Sequence, residues 1–208
     1  MKAYIYTGGK INASAVTENP NDGDIIIAAD SGYSNARTLG VTPQILLGDF
    51  DSLGTIPEDI SEIISVPAEK DFTDTQMAID TALSKGADEI IIIGGLGGRL
   101  DHTLSNLSIL EYLHSKNVKG LITDGNDRVR YLKNDSIIIL RSEYKYISLI
   151  ARSEKVKGVE IAGCKYPLKN AQLSDKYQFA VSNEIEGNCA FISVKKGAVL
   201  IIESKDQA

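Results

Sequence analysis

Two aspartates stand two positions apart in Gly48-Asp49-Phe50-Asp51-Ser52. On a strand this spacing puts both carboxylates on one face, and a tight loop can still aim both at one cation. Hard oxygen donors of this kind suit Mg²⁺, which takes one or two carboxylates and completes its shell with water and substrate phosphate. Gly-Asp and Asp-Ser are also ordinary turn pairs, so the motif gains meaning only with its neighbours. A second acidic cluster is Lys70-Asp71-Phe72-Thr73-Asp74. Asp74 would favour the dipole of a helix starting there, whereas Asp71 precedes the cap and has no such structural excuse. Lys70 carries a point charge suited to a phosphate oxygen.

A third segment, Gly94-Gly95-Leu96-Gly97-Gly98, has four glycines in five positions, followed by Arg99, Leu100, Asp101 and His102. Glycines at such a place let backbone N–H groups approach a phosphate at a helix start. The dinucleotide fingerprint fails, because position 100 is leucine where a third glycine is required. The Walker pattern fails too, since no Gly-Lys-Ser/Thr follows. The loop is therefore phosphate-compatible but of another type, and a histidine beside a helix start is more often structural than catalytic.

These residues need elements to position them. Six β-rich apolar runs, Ala3–Tyr6, Ile25–Ala29, Ile45–Leu47, Ile63–Val66, Ile90–Ile93 and Leu121–Ile122, lack polar alternation. They read as strands covered on both faces, as in a parallel sheet, and predict an open α/β sheet of about six strands. The ligand crevice of such a sheet lies beyond the carboxyl ends of its strands. There stand Thr7-Gly8-Gly9, Asp30-Ser31-Gly32 and the three segments above. Thr73 and Gln76 predict a capping box, with Phe72 and Met77 as a hydrophobic staple and Gly86 as the stop. A second helix is expected from about Leu100 to His114, with Leu104, Leu107, Leu110 and Leu113 at helical spacing.

After Asp124 helical periodicity gives way to short β-rich stretches: Val129–Leu132, Ser136–Leu140, Tyr146–Ile150, Val159–Ala162, Phe179–Ser182, Phe191–Val194 and Val199–Glu203. Their spacing and turn signals predict an antiparallel sandwich, so two domains are expected, 1–124 and 125–208. The expected fold class is α/β, an open, mostly parallel, six-stranded Rossmann-like sheet followed by a C-terminal antiparallel β-sandwich domain.

The 208 residues carry 22 Lys plus Arg and 28 Asp plus Glu. The imbalance is uneven: net −10 over residues 1–124 and net +4 over 125–208. A domain at −10 repels polynucleotides, so no nucleic-acid partner is expected, and a phosphorylated ligand would need a metal between it and the carboxylates. No apolar run approaches the roughly 20 residues that span a bilayer, and the start is too short in apolar residues for a signal peptide. A cytoplasmic protein without a membrane partner is expected. Cys164 and Cys189 form no Cys-x-x-Cys pattern and read as two buried thiols.

In this order, Ala29-Asp30-Ser31-Gly32, Gly48-Asp49-Phe50-Asp51-Ser52, Lys70-Asp71-Phe72-Thr73-Asp74 and Gly94 to His102 resemble the thiamine pyrophosphokinase family. Gly163-Cys164-Lys165-Tyr166-Pro167-Leu168 and Val181-Ser182-Asn183-Glu184 look like that family's thiamine-binding segments. The resemblance spans nearly the whole chain. It implies pyrophosphoryl transfer from ATP, as co-substrate, to the hydroxyl of thiamine, with Mg²⁺ as cofactor. It also implies a homodimer whose thiamine site lies at the subunit interface. Carried over by residue, Asp49, Asp51, Asp71 and Asp101 become the metal and catalytic acids. Asp30, Lys70, Thr73, Asp74, Gly97, Arg99 and His102 fall on the nucleotide side, with Arg99 and Lys70 meeting phosphates. Ser182 and Asn183 would hydrogen-bond the aminopyrimidine, and Tyr166 would line its ring, where the family often has the tryptophan that this chain lacks.

Two other readings compete. A haloacid-dehalogenase-like phosphatase would use Asp49-Phe50-Asp51 as its Asp-x-Asp nucleophile motif. That motif ordinarily continues with Thr or Val where this chain has Leu53, and it follows the first strand, whereas here it follows the third. A non-catalytic nucleotide or thiamine sensor would keep the pocket without the reaction.

Overall fold

Isoleucine-rich runs fit the pleated, buried surface of a sheet, and they form its centre here. The computed structural model describes residues 1–50, 59–65 and 72–206. The chain divides into two compact units, Met1–Gly125 and Asn126–Ala208. It is mixed α/β, with a large, mostly parallel sheet and a separate antiparallel sheet.

In the first unit the strands are β1 (Lys2–Tyr6), β2 (Ile25–Ala29), β3 (Ile45–Gly48), β4 (Glu62–Ser65), β5 (Glu89–Ile93) and β6 (Lys119–Thr123). They lie in the order β6-β5-β1-β2-β3-β4, and every neighbouring pair is parallel. Ile5, Ile27, Leu46, Leu47, Ile90, Ile92, Ile93 and Ile122 are fully buried. β4 departs from the expectation of strands covered on both faces: it is an edge strand, and its Ile63 is 45% exposed. The chain lays down β1 to β4 in one direction and then returns to place β5 on the other side of β1. That reversal opens a crevice beyond the carboxyl ends of β1 and β5.

Helix α1 (Gly32–Thr38), which no sequence signal marked, follows β2; α2 (Asp74–Ser84) precedes β5 and α3 (Leu100–Ser115) follows it. Thr73 caps α2 through its Oγ1, which accepts from the Gln76 amide at 3.1 Å. The other half of the expected capping box is replaced: Gln76 Nε2 donates to Asp80 Oδ1 instead. Nor does Phe72 cover the helix start as a staple, being 63% exposed. At the far end Gly86, at φ +86°, lets Ala87 N–H reach the Ala82 carbonyl at 3.1 Å, a Schellman closure. Thr73→Ala should cost about 1 kcal/mol, read as a lowered Tm.

The buried stripe of α3 also differs from the predicted leucine row. Asn106, Ile109, Leu110 and Leu113 are buried, while Leu104 is 54% exposed. Leu104 and Leu113 are nine residues apart, which at 3.6 residues per turn places them roughly 180° around the helix. A strict three-residue step therefore cannot stay on one face.

The second unit contains β7 (Asp127–Lys133), β8 (Ser136–Leu140), β9 (Tyr146–Ala151), β10 (Val156–Ala162), β11 (Leu168–Leu173), β12 (Asn183–Glu184), β13 (Cys189–Lys196) and β14 (Ala198–Ser204). Antiparallel ladders join them in the orders β12-β9-β14-β7 and β11-β10-β13-β8. Leu149, Val159, Ile161, Ile192, Val194, Val199 and Ile201 from both sets pack in one core.

The expected strand Phe179–Ser182 does not form. Its backbone makes only isolated bonds, Leu149 N–H to the Ala180 carbonyl and Ser182 N–H to Ser148 Oγ, and Ser182 at φ +55° breaks the extended run. Strand β11 is the converse: Leu168-Lys169-Asn170-Ala171-Gln172-Leu173 has little apolar pattern, and its backbone pairing with β10 makes it a strand. Of the two cysteines Cys164 is buried, whereas Cys189 is only partly so, and both are free thiols. Among the described residues no helix is long and apolar enough to cross a membrane.

Candidate active site

The loops that follow β1 and β5 touch backbone to backbone. A Cβ on Gly9 would lie 2.0 Å from the Gly94 carbonyl oxygen and 2.3 Å from that of Gly97, so only glycine permits the approach. Around this junction is a cavity of about 490 Å³. Its walls are Thr7-Gly8-Gly9 after β1, Ala29-Asp30-Ser31 after β2, Phe72 to Thr75 at the start of α2, and Gly94, Gly95, Gly97, Gly98, Arg99, His102 and Asn106 after β5. The sheet order thus brings segments far apart in sequence to the switch point.

The amides of this wall are its main chemical asset. Thr7 N–H and Gly94 N–H are used by the sheet, donating to the Ile93 and Thr123 carbonyls at 2.9 Å each. Those of Gly8, Gly9, Gly95, Gly97 and Gly98, all cavity-lining, donate to no protein acceptor among the described residues. Five such donors among the lining residues suit an anion with several oxygens. Carboxylates border the cavity: Asp74 lies in the first turn of α2, and Asp30 sits at φ +47°, a left-handed conformation that aspartate tolerates better than most residues. The Asp30 amide donates to the Leu47 carbonyl at 2.7 Å, tying this turn to the end of β3.

Of the residues singled out from the sequence, Asp30, Thr73, Asp74, Gly97, Arg99 and His102 line the cavity together. Asp49 follows β3 directly, next to Gly48. Asp101, in the first turn of α3, is engaged by Arg99: Nη2 to Oδ2 at 2.6 Å and Nε to Oδ1 at 3.2 Å. This guanidinium, helped by the His102 amide at 2.9 Å, holds the Asp101 carboxyl below the usual carboxylate range. Because the carboxylate is the favoured form in the fold, what little this exposed pair adds to stability is present at neutral pH and fades as acid protonates Asp101. Asp51, Lys70 and Asp71 lie outside the described residues, and among the described residues no three Asp, Glu, His or Cys side chains gather as a metal cluster.

Two asparagines that sequence reasoning passed over hold the loops. Asn35 of α1 donates through Nδ2 to the Thr7 carbonyl at 2.6 Å and the Gly9 carbonyl at 2.7 Å. Asn106, 7% exposed, donates to the Gly95 carbonyl at 2.9 Å. A polar residue inside the apolar stretch of α3 was the available signal for Asn106; nothing local marked Asn35.

In the second unit Asn183 is joined to Tyr166, in a role different from the one expected of it. Asn183 is 4% exposed, and its carboxamide is taken up by backbone: Oδ1 accepts from Tyr166 N–H at 2.9 Å and Glu184 N–H at 3.0 Å, and Nδ2 donates to the Tyr166 carbonyl at 2.7 Å. It pins the segment that presents Tyr166, whose ring is exposed with Lys165 Nζ 5.7 Å from its centroid. Ser182, which precedes Asn183 in the chain, is exposed. Asn183→Ala leaves the Tyr166 N–H and carbonyl unpaired and should destabilise the protein by about 1–3 kcal/mol, read as a lowered Tm.

Comparison with known proteins gives a consistent result. The family model for the thiamin pyrophosphokinase catalytic domain matches residues 18–122, and that for the thiamin pyrophosphokinase vitamin B1 binding domain matches residues 135–199. A thiamine pyrophosphokinase of Bacillus subtilis is 33% identical over 186 residues, 86% of this chain and 87% of that protein. Thiamin pyrophosphokinase 1 of Caenorhabditis elegans is 27% identical over 171 residues, 77% of this chain and 70% of that protein. Crystal structures of the thiamine pyrophosphokinase of Bacillus subtilis and the thiamin pyrophosphokinase of Geobacillus thermodenitrificans align with TM-scores of 0.88 and 0.85 at 28% and 27% identity. The alignments cover 99% and 100% of this chain and 100% and 99% of those chains.

Proposed function

The chain belongs to the thiamine pyrophosphokinase family, and from that premise we propose that it transfers a pyrophosphoryl group from ATP to the hydroxyl of thiamine, giving thiamine diphosphate and AMP. The observation that carries this reading is the cavity at the switch point, with five glycine amides that donate to no protein acceptor among the described residues. A triphosphate matches that row of donors. In the reaction the thiamine oxygen attacks the β-phosphorus of ATP, the bond from the bridging oxygen to that phosphorus breaks, and AMP leaves with the oxygen. The hydroxyl proton passes to a carboxylate, which we assign as Asp71.

Transfer of this kind spreads charge over phosphoryl oxygens, so the work of the chain is positioning and neutralisation more than strong base catalysis. The loop amides hold the phosphates, Asp30, Thr73, Asp74, Gly97 and His102 border the nucleotide, and Arg99, released from Asp101, meets a phosphate oxygen alongside Lys70. Mg²⁺ would be held by Asp49, Asp51 and Asp101. The donor chemistry fits, since Asp101 is kept ionised by its surroundings and carboxylate oxygen is what this cation takes. When bound, the ion neutralises phosphate charge and orients the leaving group. The acceptor is itself a cation, which suits a first unit at net −10.

Tyr166 and Ser182 take the thiamine ring, with Asn183 acting through Tyr166. The second unit is read as a β-sandwich and the protein as a cytoplasmic homodimer with its thiamine site at the subunit interface. Ile138, Leu140 and Phe191, exposed on the adjacent strands β8 and β13, support a second copy as partner. Neither rival is favoured by the comparisons: the similar proteins are thiamine pyrophosphokinases rather than phosphatases. Incubation with thiamine, ATP and MgCl₂ tests the reading and should yield AMP and thiamine diphosphate in equal amounts. ADP with thiamine monophosphate, or free phosphate alone, would overturn it.

A further inference from the structure

A polyphosphate next to polypeptide backbone is attracted by N–H groups and repelled by carbonyl oxygens. The planar peptide points the two in opposite directions, so turning a carbonyl away from a ligand turns the next residue's N–H towards it. At the cavity three carbonyls, those of Thr7, Gly9 and Gly95, are engaged by side-chain amides. Asn35 Nδ2 holds the first two at 2.6 and 2.7 Å, and Asn106 Nδ2 holds the third at 2.9 Å. The two asparagines come from different helices, α1 and α3, and act on different loops. Asn35 also sits where the loops meet: a Cβ on Gly94 would lie 3.0 Å from its Nδ2 and 2.7 Å from the Thr7 oxygen it engages.

We propose that Asn35 and Asn106 are positioning residues for the phosphoryl donor, a two-point clamp that draws carbonyl oxygens of both glycine loops out of the way and leaves loop amides such as that of Gly8 for the triphosphate. The proposal rests on the reading of the cavity as an ATP site. It separates two duties: the amides touch phosphate, and the asparagines hold carbonyls, Asn35 that of Thr7 just before the Gly8 amide and Asn106 that of Gly95. A clamp of this kind affects ligands in proportion to their phosphates, whereas a merely structural role would weaken all ligands alike or lower stability alone.

The test is the affinity of Asn106→Leu and Asn35→Ala for the unreactive α,β-methylene analogue of ATP with Mg²⁺, and for AMP, by calorimetry. Each substitution should weaken the triphosphate analogue about tenfold or more, the effect of releasing a carbonyl that had been held. AMP affinity should change less than about threefold on the same argument. Asn35 is only partly buried, so Asn35→Ala gives a second answer if Asn106→Leu does not fold. Unchanged affinity for the triphosphate analogue in a folded variant, or an equal loss for AMP, overturns the clamp. The outcome is separate from that of the turnover assay: a wild-type protein that binds the analogue but makes no thiamine diphosphate would sink the proposed reaction and leave the clamp testable.

Discussion

Gly9→Ala is expected to destabilise the protein by about 1–3 kcal/mol or more and to lower kcat/KM for ATP about a hundredfold. The new methyl group would meet two carbonyl oxygens, those of Gly94 at 2.0 Å and Gly97 at 2.3 Å, well inside any real Cβ contact. Neither is the end of a flexible side chain, so backbone must move. What moves is the junction of the two loops whose amides line the cavity, and catalysis that depends on positioning is sensitive to displacements of this order. Thermal unfolding with steady-state kinetics checks both effects, and Gly40→Ala serves as a control. Gly40 also has positive φ, but nothing lies within 4 Å of its Cβ position, so it should cost stability without affecting the ATP dependence.

Asp71→Asn should lower kcat roughly 10²- to 10⁴-fold, the range of a lost general base, while affinity for the α,β-methylene ATP analogue with Mg²⁺ falls only a few-fold. The asparagine keeps the shape of the side chain and removes both its charge and its ability to take a proton. If nucleotide affinity drops as far as turnover, Asp71 is a metal ligand first, and its role merges with those of Asp49, Asp51 and Asp101. Burst and single-turnover measurements separate the two cases because they isolate the chemical step from binding and release.

The elements legible in the sequence were those whose signal is local. Uninterrupted isoleucine runs marked the parallel strands, Thr73 and Gly86 marked the ends of α2, and the loss of helical periodicity after Asp124 foretold a β-rich second half. Two of the misreadings share a cause in non-local contacts, and a third lies in helix geometry. β11 is a strand because β10 offers it a ladder, not because Lys169, Asn170 and Gln172 favour one. Phe179–Ser182 has a strand-like composition and no continuous partner. Leu104 fitted an apolar spacing yet faces out, because the drift of the helix separates it from Leu113.

By itself the sequence determined the chemical inventory: paired acids, a glycine-rich loop without a Walker lysine, an acidic first half, and the ordered motifs that identify the family. These are properties of residue type and spacing, which the chain carries before it folds. Only the tertiary structure decided how they are used. The order β6-β5-β1-β2-β3-β4 is a matter of which strands pair, and it sets Gly9 against Gly94, 85 positions along the chain. It also gives Asn35 the Thr7 and Gly9 carbonyls, whereas Asn106 with Gly95 and Arg99 with Asp101 are paired within the single connection from β5 to α3. Likewise Asn183 serves the Tyr166 backbone, since in a buried place its carboxamide must satisfy nearby backbone groups.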